Sequence, residues 1–598
     1  MSDGMAVVVA LAAAAGAWFE RGPSPWVGAA LALAALASRW PIALAVAVFL
    51  LAGGLAAGAE AGLLPVTPGA FRGTVTLLGD PEPATSGALR ADVRLDDGRH
   101  LEAVARAPDA ASFAPRAAGE RITISGRLRR SPPQSDWLRV RHVAGQLEID
   151  EIASWSPGGW AARAANAVRT ALQRGAVVLP ERQRPLFLGF VLGDTRGQAV
   201  DLTDDFRGSG LTHLLAVSGE NVAFVLALAG PLLRRLTLRP RLVATVTVIA
   251  FFALVTRFEP SVLRASVMAA LAVTASTLGR EASRLRLLAL AVALLVVVDP
   301  FLVRSVGFQL SVAACAGIVL LAPPLVRAIP GPPFVRDALA VTIAAQVGVA
   351  PVLVIVFGGV PLASVPANLL AAPVAGAVMV WGLGAGIGAG LLGPRPAAIL
   401  HWPTGLMIRW IADVAHWGAT LPLGELQVRH LGLVALGVSL AVLGRRLGAR
   451  VGAGLALRLG GCALMMVALV TPLLALRAAP DGPVGLGSGA VLWRASGDAL
   501  LELDGRAHVD DLLEGLRRAG VRHLDVVVVR TSSPSTATTV EILREWGAVG
   551  NVLTPAGSSV GGATAISDAI ALHIGGFDVT VTPDSGRLVV DVARGPPV

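Results

Sequence analysis

The sequence contains no lysine and no tyrosine, although it is 598 residues long. Its fifty Lys-plus-Arg positions are therefore all arginine, and the formal net charge is +9. Without lysine there is no P-loop lysine, so the sequence holds no Walker A site for ATP. The same absence excludes a lysine Schiff base and, with it, pyridoxal phosphate chemistry. A GC-rich genome would explain the bias, and arginine remains well suited to bidentate contacts with phosphate.

Cysteine is almost as scarce. Cys315 and Cys462 both lie inside apolar runs, which indicates small packing residues rather than a disulfide framework or a C-x-x-C metal pair. No H-E-x-x-H motif occurs either. We therefore expect no bound metal and no cofactor. The first residues lack the positive region of a cleavable signal peptide, so we expect the first apolar segment to remain as an anchor.

Apolar residues make up 54% of the chain and charged residues 15%, and the mean hydropathy is +0.67. Runs near the length that crosses a bilayer recur from end to end, so the sequence predicts a polytopic α-helical membrane protein with soluble insertions. Glycines are expected to break the longest helix, at 361–391. The predicted helices cover residues 5–19, 26–40, 41–60, 210–230, 241–256, 260–279, 284–300, 305–323, 337–357, 361–391, 400–418, 430–444 and 459–476.

Residues 66–155 have a different pattern, in which apolar and polar residues alternate over short stretches separated by Gly, Pro and Asp. Such alternation predicts about five half-buried strands. We interpret them as an OB-like β-barrel, a fold that often binds single-stranded nucleic acid. Arginines beside a tryptophan suit phosphate contact and base stacking, although a merely solvated edge explains them equally well. The candidate DNA-binding residues are Arg127, Arg129, Arg130, Trp137, Arg139 and Arg141.

Residues 158–183 predict an amphipathic helix along the membrane surface, carrying Arg163, Arg169 and Arg174. Threading the apolar helices alternately places most loop arginines on one face, which the positive-inside rule makes cytoplasmic. The N-terminus is then cytoplasmic, and the strand-rich insertion and the C-terminal tail are extracytoplasmic. We expect a multi-pass protein of the plasma or inner membrane.

The tail, residues 481–598, predicts a small soluble α/β domain. Strands are expected at 491–493, 499–503 and 524–530, helices at 510–519 and 540–546, and a closing hairpin at 579–592.

Residues 208–225 open a long apolar run yet carry Thr212, His213, Ser218, Glu220 and Asn221. Polar and ionisable groups at membrane depth are costly and usually face a polar cavity. A helix end in the headgroup region would also carry such residues. Here they alternate with apolar residues instead of gathering at one end, which favours a polar lining.

An ordered series of short motifs resembles the ComEC competence-protein family, the inner-membrane channels for DNA uptake in transformable bacteria. The order of N-terminal helices, OB-like insertion, helical core and α/β tail resembles that family as well. The resemblance implies that one DNA strand passes through the helical core while its complement is degraded outside. It also implies an external DNA receptor and a cytoplasmic helicase-type motor as partners. The motifs are Val191-Leu-Gly-Asp-Thr-Arg196, Gly210-Leu-Thr-His-Leu-Leu-Ala-Val-Ser-Gly219, Leu263-Arg-Ala265, Gly279-Arg280, Asp299-Pro300, Gly307-Phe-Gln-Leu-Ser311, Ala345-Gln346 and Ala367-Asn-Leu-Leu370.

A polyanion crosses a membrane only where water and positive or hydrogen-bonding groups replace lipid. Polar side chains within the apolar segments are the candidates for a DNA path: His213, Ser218, Asn221, Arg264, Gln309, Ser311, Gln346 and Asn368. Interhelical hydrogen bonding is the alternative for the glutamines and for Asn368. A packing role is the alternative for His213, and a headgroup or structural role for Arg264. A second set is assigned structural or gating roles, with both aspartates paired to arginines: Asp194, Arg196, Glu220, Arg280 and Asp299.

The chain departs from the family pattern in two places. Glu220 and Asn221 follow Ser218-Gly219 where many members have Leu-His, so we expect Glu220 to pair with an arginine or to face away from an anion path. The tail resembles the opening half of a metallo-β-lactamase-like domain. However, Arg530-Thr-Ser-Ser-Pro-Ser-Thr-Ala-Thr-Thr539 stands where the metal motif His-x-His-x-Asp-His belongs, and hydroxyls do not hold zinc as imidazole and carboxylate do. We expect a metal-free tail without nuclease activity that serves as a structural cap or docking surface.

These observations predict transmembrane helices at 1–62, an OB-like domain at 63–157, an interfacial helix at 158–183, a channel domain at 184–480 and a degenerate metallo-β-lactamase-like domain at 481–598. The predicted function is passive passage of single-stranded DNA into the cytoplasm beside membrane lipid, with no enzymatic activity. Two alternatives remain open. One is a secondary transporter or exporter of a small or lipid-linked substrate, which broken Gly-rich helices would suit. The other is a membrane scaffold without transport.

Overall fold

The computed structural model describes residues 2–38, 40–64, 66–84, 88–130, 136–279, 283–446, 452–477, 482–487, 489–495, 497–505, 507–558 and 560–594. The α-carbon contacts divide the chain into two compact units. The first comprises Met1–Gly197, His213–Phe357 and Asn368–Ile411, and the second comprises Gln198–Thr212, Gly358–Ala367 and Ala412–Val598.

Three apolar helices begin the chain, as the sequence predicts. They are α1 (Asp3–Phe19), α2 (Pro25–Ser38) and α3 (Pro41–Gly62). Proline opens α3, where its fixed φ suits the first helical position. Glycine lets α1 and α3 approach closely, since a β-carbon at Gly16 would collide with the carbonyl group of Phe49.

The strand-rich insertion forms one six-stranded sheet that closes on itself. Its elements are β1 (Gly69–Leu77), β2 (Glu82–Pro83), β3 (Leu89–Leu95), β4 (His100–Ala105), α4 (Ala110–Phe113), β5 (Arg121–Arg130), α5 (Asp136–Val140) and β6 (Val143–Ser156). The order is β1-β5-β6-β4-β3-β2, and an additional pairing of β1 with β3 completes a five-stranded ring. Within the described residues of this sheet, β4 and β6 run parallel and the other pairs run antiparallel. Alternate residues such as Val75, Ile122 and Leu147 point inward and form the core.

Short helices connect this sheet to the main helical region. They are α6 (Trp160–Gly175), a 3-10 helix (Ala176–Val178), α7 (Arg184–Leu192), α8 (Val200–Gly208) and a second 3-10 helix (Thr212–Leu214). The predicted helix at 210–230 is therefore shorter than expected, because a 3-10 turn and a loop precede its α-helical part. That part begins at Glu220.

The helical region continues with α9 (Glu220–Leu233), α10 (Leu238–Val255), α11 (Pro260–Thr277), α12 (Arg284–Val298), a 3-10 helix (Pro300–Arg304), α13 (Val306–Ala328), α14 (Pro333–Phe357), β7 (Val360–Pro361), α15 (Ser364–Leu392), α16 (Pro394–Thr420), β8 (Glu425–Leu426), α17 (Val428–Arg446) and α18 (Gly452–Arg477). Among the described residues, seven helices are long and apolar enough to cross a membrane. They are α3, α10, α13, α14, α15, α17 and α18. The predicted apolar helices are thus present, and apart from the late start of α9 their ends differ by a few residues.

The prediction that glycines break the helix near 361–391 is wrong. α15 runs without interruption from Ser364 to Leu392. Its glycines serve packing instead, since a β-carbon at Gly390 would collide with the carbonyl group of Ala171, and one at Gly376 would meet the ring of Phe224 at 2.9 Å. Small residues at helix contacts let backbones approach closely, which outweighs the low helix propensity of glycine.

The described residues of the tail form two sheets and two helices. Its elements are β9 (Gly482–Gly485), β10 (Ala490–Ala495), β11 (Asp498–Leu503), α19 (Val509–Arg518), β12 (His523–Val529), α20 (Pro534–Trp546), β13 (Ala548–Pro555), β14 (Thr564–Ile566), β15 (Ile570–Ile574), β16 (Phe577–Asp584) and β17 (Arg587–Arg594). The larger sheet has the order β14-β13-β12-β11-β10-β9, with the strands from β11 to β14 parallel. The smaller sheet is the antiparallel order β15-β16-β17, which contains the predicted closing hairpin.

The larger sheet is covered on both faces, which explains the apolar run of β12. Leu524, Val527 and Val529 pack with residues of α19 and α20 in one core. Val526 and Val528 pack with Phe577 and other residues of the smaller sheet in a second core. A strand that is buried on both faces reads as a continuous apolar run rather than an alternating one.

Candidate anion site in the helical region

Arg264 is a buried cation among the helices of the first unit. It lies in the second turn of α11, which proline at the first helical position starts at residue 260. α11 packs against α9, α10, α12 and α13, and this packing leaves the Arg264 residue 7% exposed. Arginine is almost never this buried unless its charge is compensated.

The partners of the Arg264 guanidinium are neutral. Its Nε donates to Ser311 Oγ at 2.6 Å, and its Nη1 donates to Cys315 Sγ at 2.9 Å and to Met268 Sδ at 3.4 Å. Within the part of the chain that the structure describes, no carboxylate lies within ion-pair distance of Arg264. We call these residues, together with Gly219, the Arg264 site. Its hydrogen-bond partners carry no negative charge, although the charge of Glu220 also acts on Cys315.

Gly219 makes room for the guanidinium. A β-carbon at this position would lie 2.5 Å from Arg264 Nη2. Gly219 is the N-cap of α9 and has a φ of −61°, so any residue could adopt its backbone conformation. The requirement for glycine here is therefore steric and comes from the Arg264 side chain.

Hydrogen bonds fix the loop before α9 next to this site. Asn221 Nδ2 donates to the Phe190 carbonyl at 3.0 Å, and Ser218 Oγ donates to Asn221 Oδ1 at 3.3 Å. Ser261 Oγ donates to the carbonyl of Val217 at 2.8 Å. The buried Asn221 therefore ties α9 to α7, and Ser261 ties the loop to α11. These bonds hold Gly219 against Arg264.

Glu220 differs from its polar neighbours because its side chain is exposed. It has no hydrogen bond and no ion pair among the described residues. In the first turn of α9 a carboxylate interacts favourably with the helix dipole. The charge of Glu220 nevertheless acts on Cys315 of the Arg264 site, and both expectations for Glu220 stay predictions.

The remaining predicted path residues are distributed over several helices. Gln309 Nε2 donates at 2.8 Å to the carbonyl of Val303, which lies in the 3-10 helix before α13. Gln346 is half-buried on α14, Asn368 is buried on α15, and His213 is exposed on the 3-10 helix Thr212–Leu214. The structure thus brings Arg264 and Ser311 into contact and Ser218 and Asn221 into contact. The path roles of all eight residues stay predictions.

A second cluster of charges joins the strand-rich region to the helices. Asp80, which follows β1, accepts from Arg257 Nη2 at 2.7 Å and forms an ion pair with Arg169 Nη2 at 2.9 Å. Asp194 accepts from Arg196 Nη2 at 2.6 Å and from Arg169 Nη2 at 3.4 Å. We call these five residues the Asp80 cluster. Here every buried cation has a carboxylate partner.

The pKa values of the two carboxyls follow from these contacts. Burial alone would raise the pKa of Asp80, but Arg169 and Arg257 outweigh it and hold the pKa below its usual value. Burial opposes the arginines in the same way at Asp194, where hydrogen bonds from Arg196 keep the pKa low. Arg169, predicted to face the membrane surface from the amphipathic helix, instead points into this cluster. It is 5% exposed, because two carboxylates draw it inward.

Asp299 differs from its predicted pairing with an arginine. Its Oδ1 accepts from the Phe301 backbone N–H at 3.1 Å, which caps the 3-10 helix Pro300–Arg304, and lies 3.1 Å from His142 Nε2. The nearby Arg304 pairs instead with Glu20 at 2.7 Å. The cap fixes Asp299 toward His142. Arg280, the remaining member of the predicted charged set, lies outside the described residues.

The predicted DNA-binding arginines of the β-region have acidic neighbours. Arg139 forms ion pairs with Glu20 and Glu60, and Arg141 pairs with Asp92 and Glu102. These two side chains therefore serve contacts within the protein. The more exposed pairs are Arg127 with Asp150 at 3.4 Å and Arg129 with Glu148 at 2.6 Å, and Arg130 is exposed. Trp137 belongs to α5, and its side chain lies outside the described part of the structure. DNA binding by this region stays a prediction.

The hydroxyl run of the tail has a structural explanation. Ser533 Oγ accepts from the Thr536 backbone N–H at 3.2 Å, and Thr536 Oγ1 accepts from the Ser533 N–H at 2.8 Å. This reciprocal cap starts α20. Among the described residues no group of three or more His, Cys, Asp and Glu side chains is arranged to hold a metal. The absence of nuclease activity stays a prediction.

The tail is also joined to α8, within the second unit. Asp204 Oδ2 accepts from Trp546 Nε1 at 2.9 Å. Asp205 pairs with Arg522 at 3.0 Å and with His416 Nδ1 at 2.8 Å. Burial raises the pKa of Asp204 above its usual value, although the Trp546 hydrogen bond opposes it. These contacts fix α8 to the tail, and the docking role stays a prediction.

Several of these residues were missed by the sequence prediction. Asp80 lies in a Gly-Asp-Pro turn, where an aspartate is common for reasons of turn formation alone. Its local sequence therefore does not indicate that it has arginine partners. Cys315 was interpreted as a packing residue, but it accepts a hydrogen bond from Arg264. Helical spacing could have found it, because Ser311 and Cys315 lie four residues apart and so share one face of α13.

Residues 190–448 match the family model described as "Competence protein". Over this segment the chain is similar to the competence-protein family. The segment contains α8 to α17 and all members of the Arg264 site. Together with the apolar helices, the match identifies a multi-pass membrane protein.

A curated relative supports the same region. The chain is 28% identical over 207 residues to "Uncharacterized protein YcaI" of Escherichia coli (strain K12), a stretch that covers 31% of this chain and 27% of that protein. The match therefore spans about a quarter of the relative's length. No solved structure matches the chain.

Proposed function

We propose that the competence-family segment forms a passage for single-stranded DNA across the cytoplasmic membrane, and that Arg264 contacts the DNA phosphates on this path. The observation that carries the proposal is a buried guanidinium whose partners are a hydroxyl, a thiol and a thioether. Removing a charge from water without a counter-ion is expensive. A side chain retained under that penalty is best explained by a ligand that brings the opposite charge.

The phosphate of a passing DNA strand suits Arg264 as a counter-charge better than a permanent carboxylate partner would. A permanent acidic partner would neutralise Arg264 and abolish its attraction for a passing anion. Conduction requires binding that is favourable enough for entry and weak enough for exit. One cation held by neutral donors and acceptors satisfies both conditions. Guanidinium also offers the planar pair of donors that suits phosphate oxygens.

We propose further that the β-region is an OB-like barrel that receives the incoming strand. Its support is the ring order β1-β5-β6-β4-β3, with one parallel pair, which suits a five-stranded Greek-key barrel. Arg127, Arg129 and Arg130 lie together at the end of β5, where their exposed guanidiniums can reach phosphate despite their acidic neighbours.

For the tail we propose a truncated metallo-β-lactamase-like domain without catalytic activity. The support is one helix layer and two sheets, and the cap at Ser533 where metal ligands would otherwise stand. Its contacts with α8 favour a structural role toward the competence segment.

The proposed orientation follows from arginine placement, with a cytoplasmic N-terminus and extracytoplasmic β-region and tail. An external DNA receptor and a cytoplasmic helicase-type motor complete the proposal, since the sequence holds no P-loop lysine. The alternative of a small-molecule transporter rested on broken helices, and the continuous α15 removes that support.

The decisive experiment measures conductance in planar bilayers with the purified full-length protein. We expect a current that favours anions over cations and that a single-stranded oligonucleotide blocks. Arg264→Gln should weaken the block by about 10–100-fold, the range that corresponds to loss of one charged hydrogen-bonding group. Arg264→Lys keeps the charge and should retain most of the block.

Labelled-DNA uptake in a strain that lacks the protein is the cellular counterpart. We expect wild-type protein to restore uptake and Arg264→Gln to fail at equal membrane abundance. A current without anion preference, or full uptake with Arg264→Gln, would contradict the proposal.

A further inference from the structure

The segment that joins α9 to α10 carries the most concentrated positive charge in the helical region. Arg234, Arg235, Arg239 and Arg241 fall within eight residues, and all four side chains are exposed. None of them has a carboxylate within ion-pair distance among the described residues. We call this segment, residues 232–243, the arginine loop.

Two other arginines of the same face do have an acidic neighbour. Arg286 pairs with Asp3 at 2.8 Å, and Arg336 lies 2.9 Å from Asp337. The arginine loop has no acidic residue near it in sequence, since the nearest on either side are Glu220 and Glu259. Four like charges placed so closely repel one another unless an anion lies among them.

Large apolar side chains alternate with these arginines and are exposed as well. Leu232 is 68%, Leu238 65% and Val243 66% exposed, and Leu236 lies between the two arginine pairs with 39% exposed. α10 is one of the helices able to cross a membrane, and Arg239 and Arg241 lie in its first turn. Alternating basic and apolar side chains at the end of a spanning helix match a membrane interface, with leucines among acyl chains and guanidiniums among headgroups.

We propose that the arginine loop is a binding site for anionic phospholipid. Nucleic acid would satisfy the arginines but not the exposed leucines, whereas a phospholipid satisfies both. Basic residues near an anionic leaflet are each attracted to it, so four together should give a strong preference over neutral lipid. The site does not depend on DNA passage, and it would persist if the proposed function proved wrong.

The test measures the lipid retained by full-length protein after incubation in mixed micelles of phosphatidylglycerol and phosphatidylcholine. We expect at least about tenfold enrichment of phosphatidylglycerol over its share in the micelle. Arg234→Gln with Arg235→Gln, and separately Arg239→Gln with Arg241→Gln, should each reduce the enrichment severalfold. Replacement of all four arginines by lysine should preserve most of the enrichment.

Two control variants sharpen the result. Arg72→Gln with Arg94→Gln removes two exposed arginines of the β-region and should leave retention unchanged. Leu236→Ser with Leu238→Ser should lower retention although every charge remains, as a lipid site requires. Unchanged retention in either arginine-pair variant would overturn the proposal. So would unchanged retention in the leucine variant, or displacement of the lipid by a single-stranded oligonucleotide at equal charge concentration.

Discussion

Arg169 and Arg264 are equally inaccessible but are stabilised in opposite ways. Arg169 is 5% exposed and pairs with both Asp80 and Asp194, and its Nη1 also donates to the carbonyl of Val255 at 2.9 Å. Arg264 is 7% exposed and contacts only uncharged groups among the described residues. Burial is therefore not what distinguishes a structural arginine from one available to a ligand.

The difference lies in whether the surrounding residues supply a counter-charge. In the Asp80 cluster the positive and negative charges compensate each other, so the cluster joins elements but leaves little attraction for an anion. In the Arg264 site the hydrogen-bond partners are hydroxyl and sulfur groups, which orient toward the charge without neutralising it. Removing one partner of a compensated cluster strands a buried charge, whereas removing an uncompensated charge strands nothing. This asymmetry makes the comparison testable.

The largest effect is expected for Arg169→Met. The substitution leaves Asp80 and Asp194 buried with fewer cations, so the free energy of unfolding should fall by about 3–5 kcal/mol. Thermal unfolding of the detergent-solubilised protein measures it, with the exposed Arg163→Met on the same helix as the control. Stability equal to wild type would show that the cluster does not hold the β-region to the helices.

Arg264→Met should behave oppositely in the same assay. No carboxylate is stranded, and a buried charge is replaced by an apolar side chain of similar length. Stability should therefore stay within about 1 kcal/mol of wild type or rise, while the oligonucleotide block is lost. A loss of stability as large as that of Arg169→Met would mean that Arg264 is a structural residue and would remove it from the DNA path.

A smaller difference between the two sites is expected in how the stability of the protein responds to acid pH. A carboxyl whose pKa is lower in the folded state stabilises the protein above its unfolded pKa of about 3.9, and this contribution is lost as the pH falls through the lower folded pKa. Asp80 and Asp194 both have lowered pKa values. The thermal unfolding midpoint of the wild-type protein should therefore fall as the pH is lowered below about 4, and the midpoint of Asp80→Asn should fall less steeply. Arg264→Met should follow wild type, since its site holds no carboxylate, and a changed acid response in that variant would contradict the assignment.

The sequence predicted the secondary structure better than the side-chain contacts, for a physical reason. Apolar runs and strand alternation reflect burial averaged over many residues. They therefore predict the positions of α1–α3, α10–α18 and the strands of the β-region to within a few residues. Partner choice depends on single rotamers and on long-range proximity. Asp299 and His142 lie 157 residues apart, and nothing in either local sequence indicates their contact.

The same limit applies within the candidate site. Arg264 and Ser311 were selected because polar residues interrupt apolar helices, and that signal is local. The sequence shows Gly219 only as part of a motif, because its role comes from a side chain forty-five positions later and not from its own φ. Arg169 was assigned to the membrane surface on amphipathic spacing, which cannot reveal two carboxylates on other elements.

The smallest effect, and the most specific one, is expected for Gly219→Ala. The new methyl group would lie 2.5 Å from Arg264 Nη2, so the guanidinium must move while its charge and its helix remain. We expect the oligonucleotide block to weaken by about threefold to tenfold with stability nearly unchanged, the effect of displacing rather than deleting one charged contact. Gly230→Ala is the matched control, because it lies on the same helix α9 and a β-carbon there meets no atom within 4 Å. An equal oligonucleotide block in the two variants would show that the position of the Arg264 guanidinium does not affect the block. The residues that contact phosphate would then have to lie elsewhere in the competence segment.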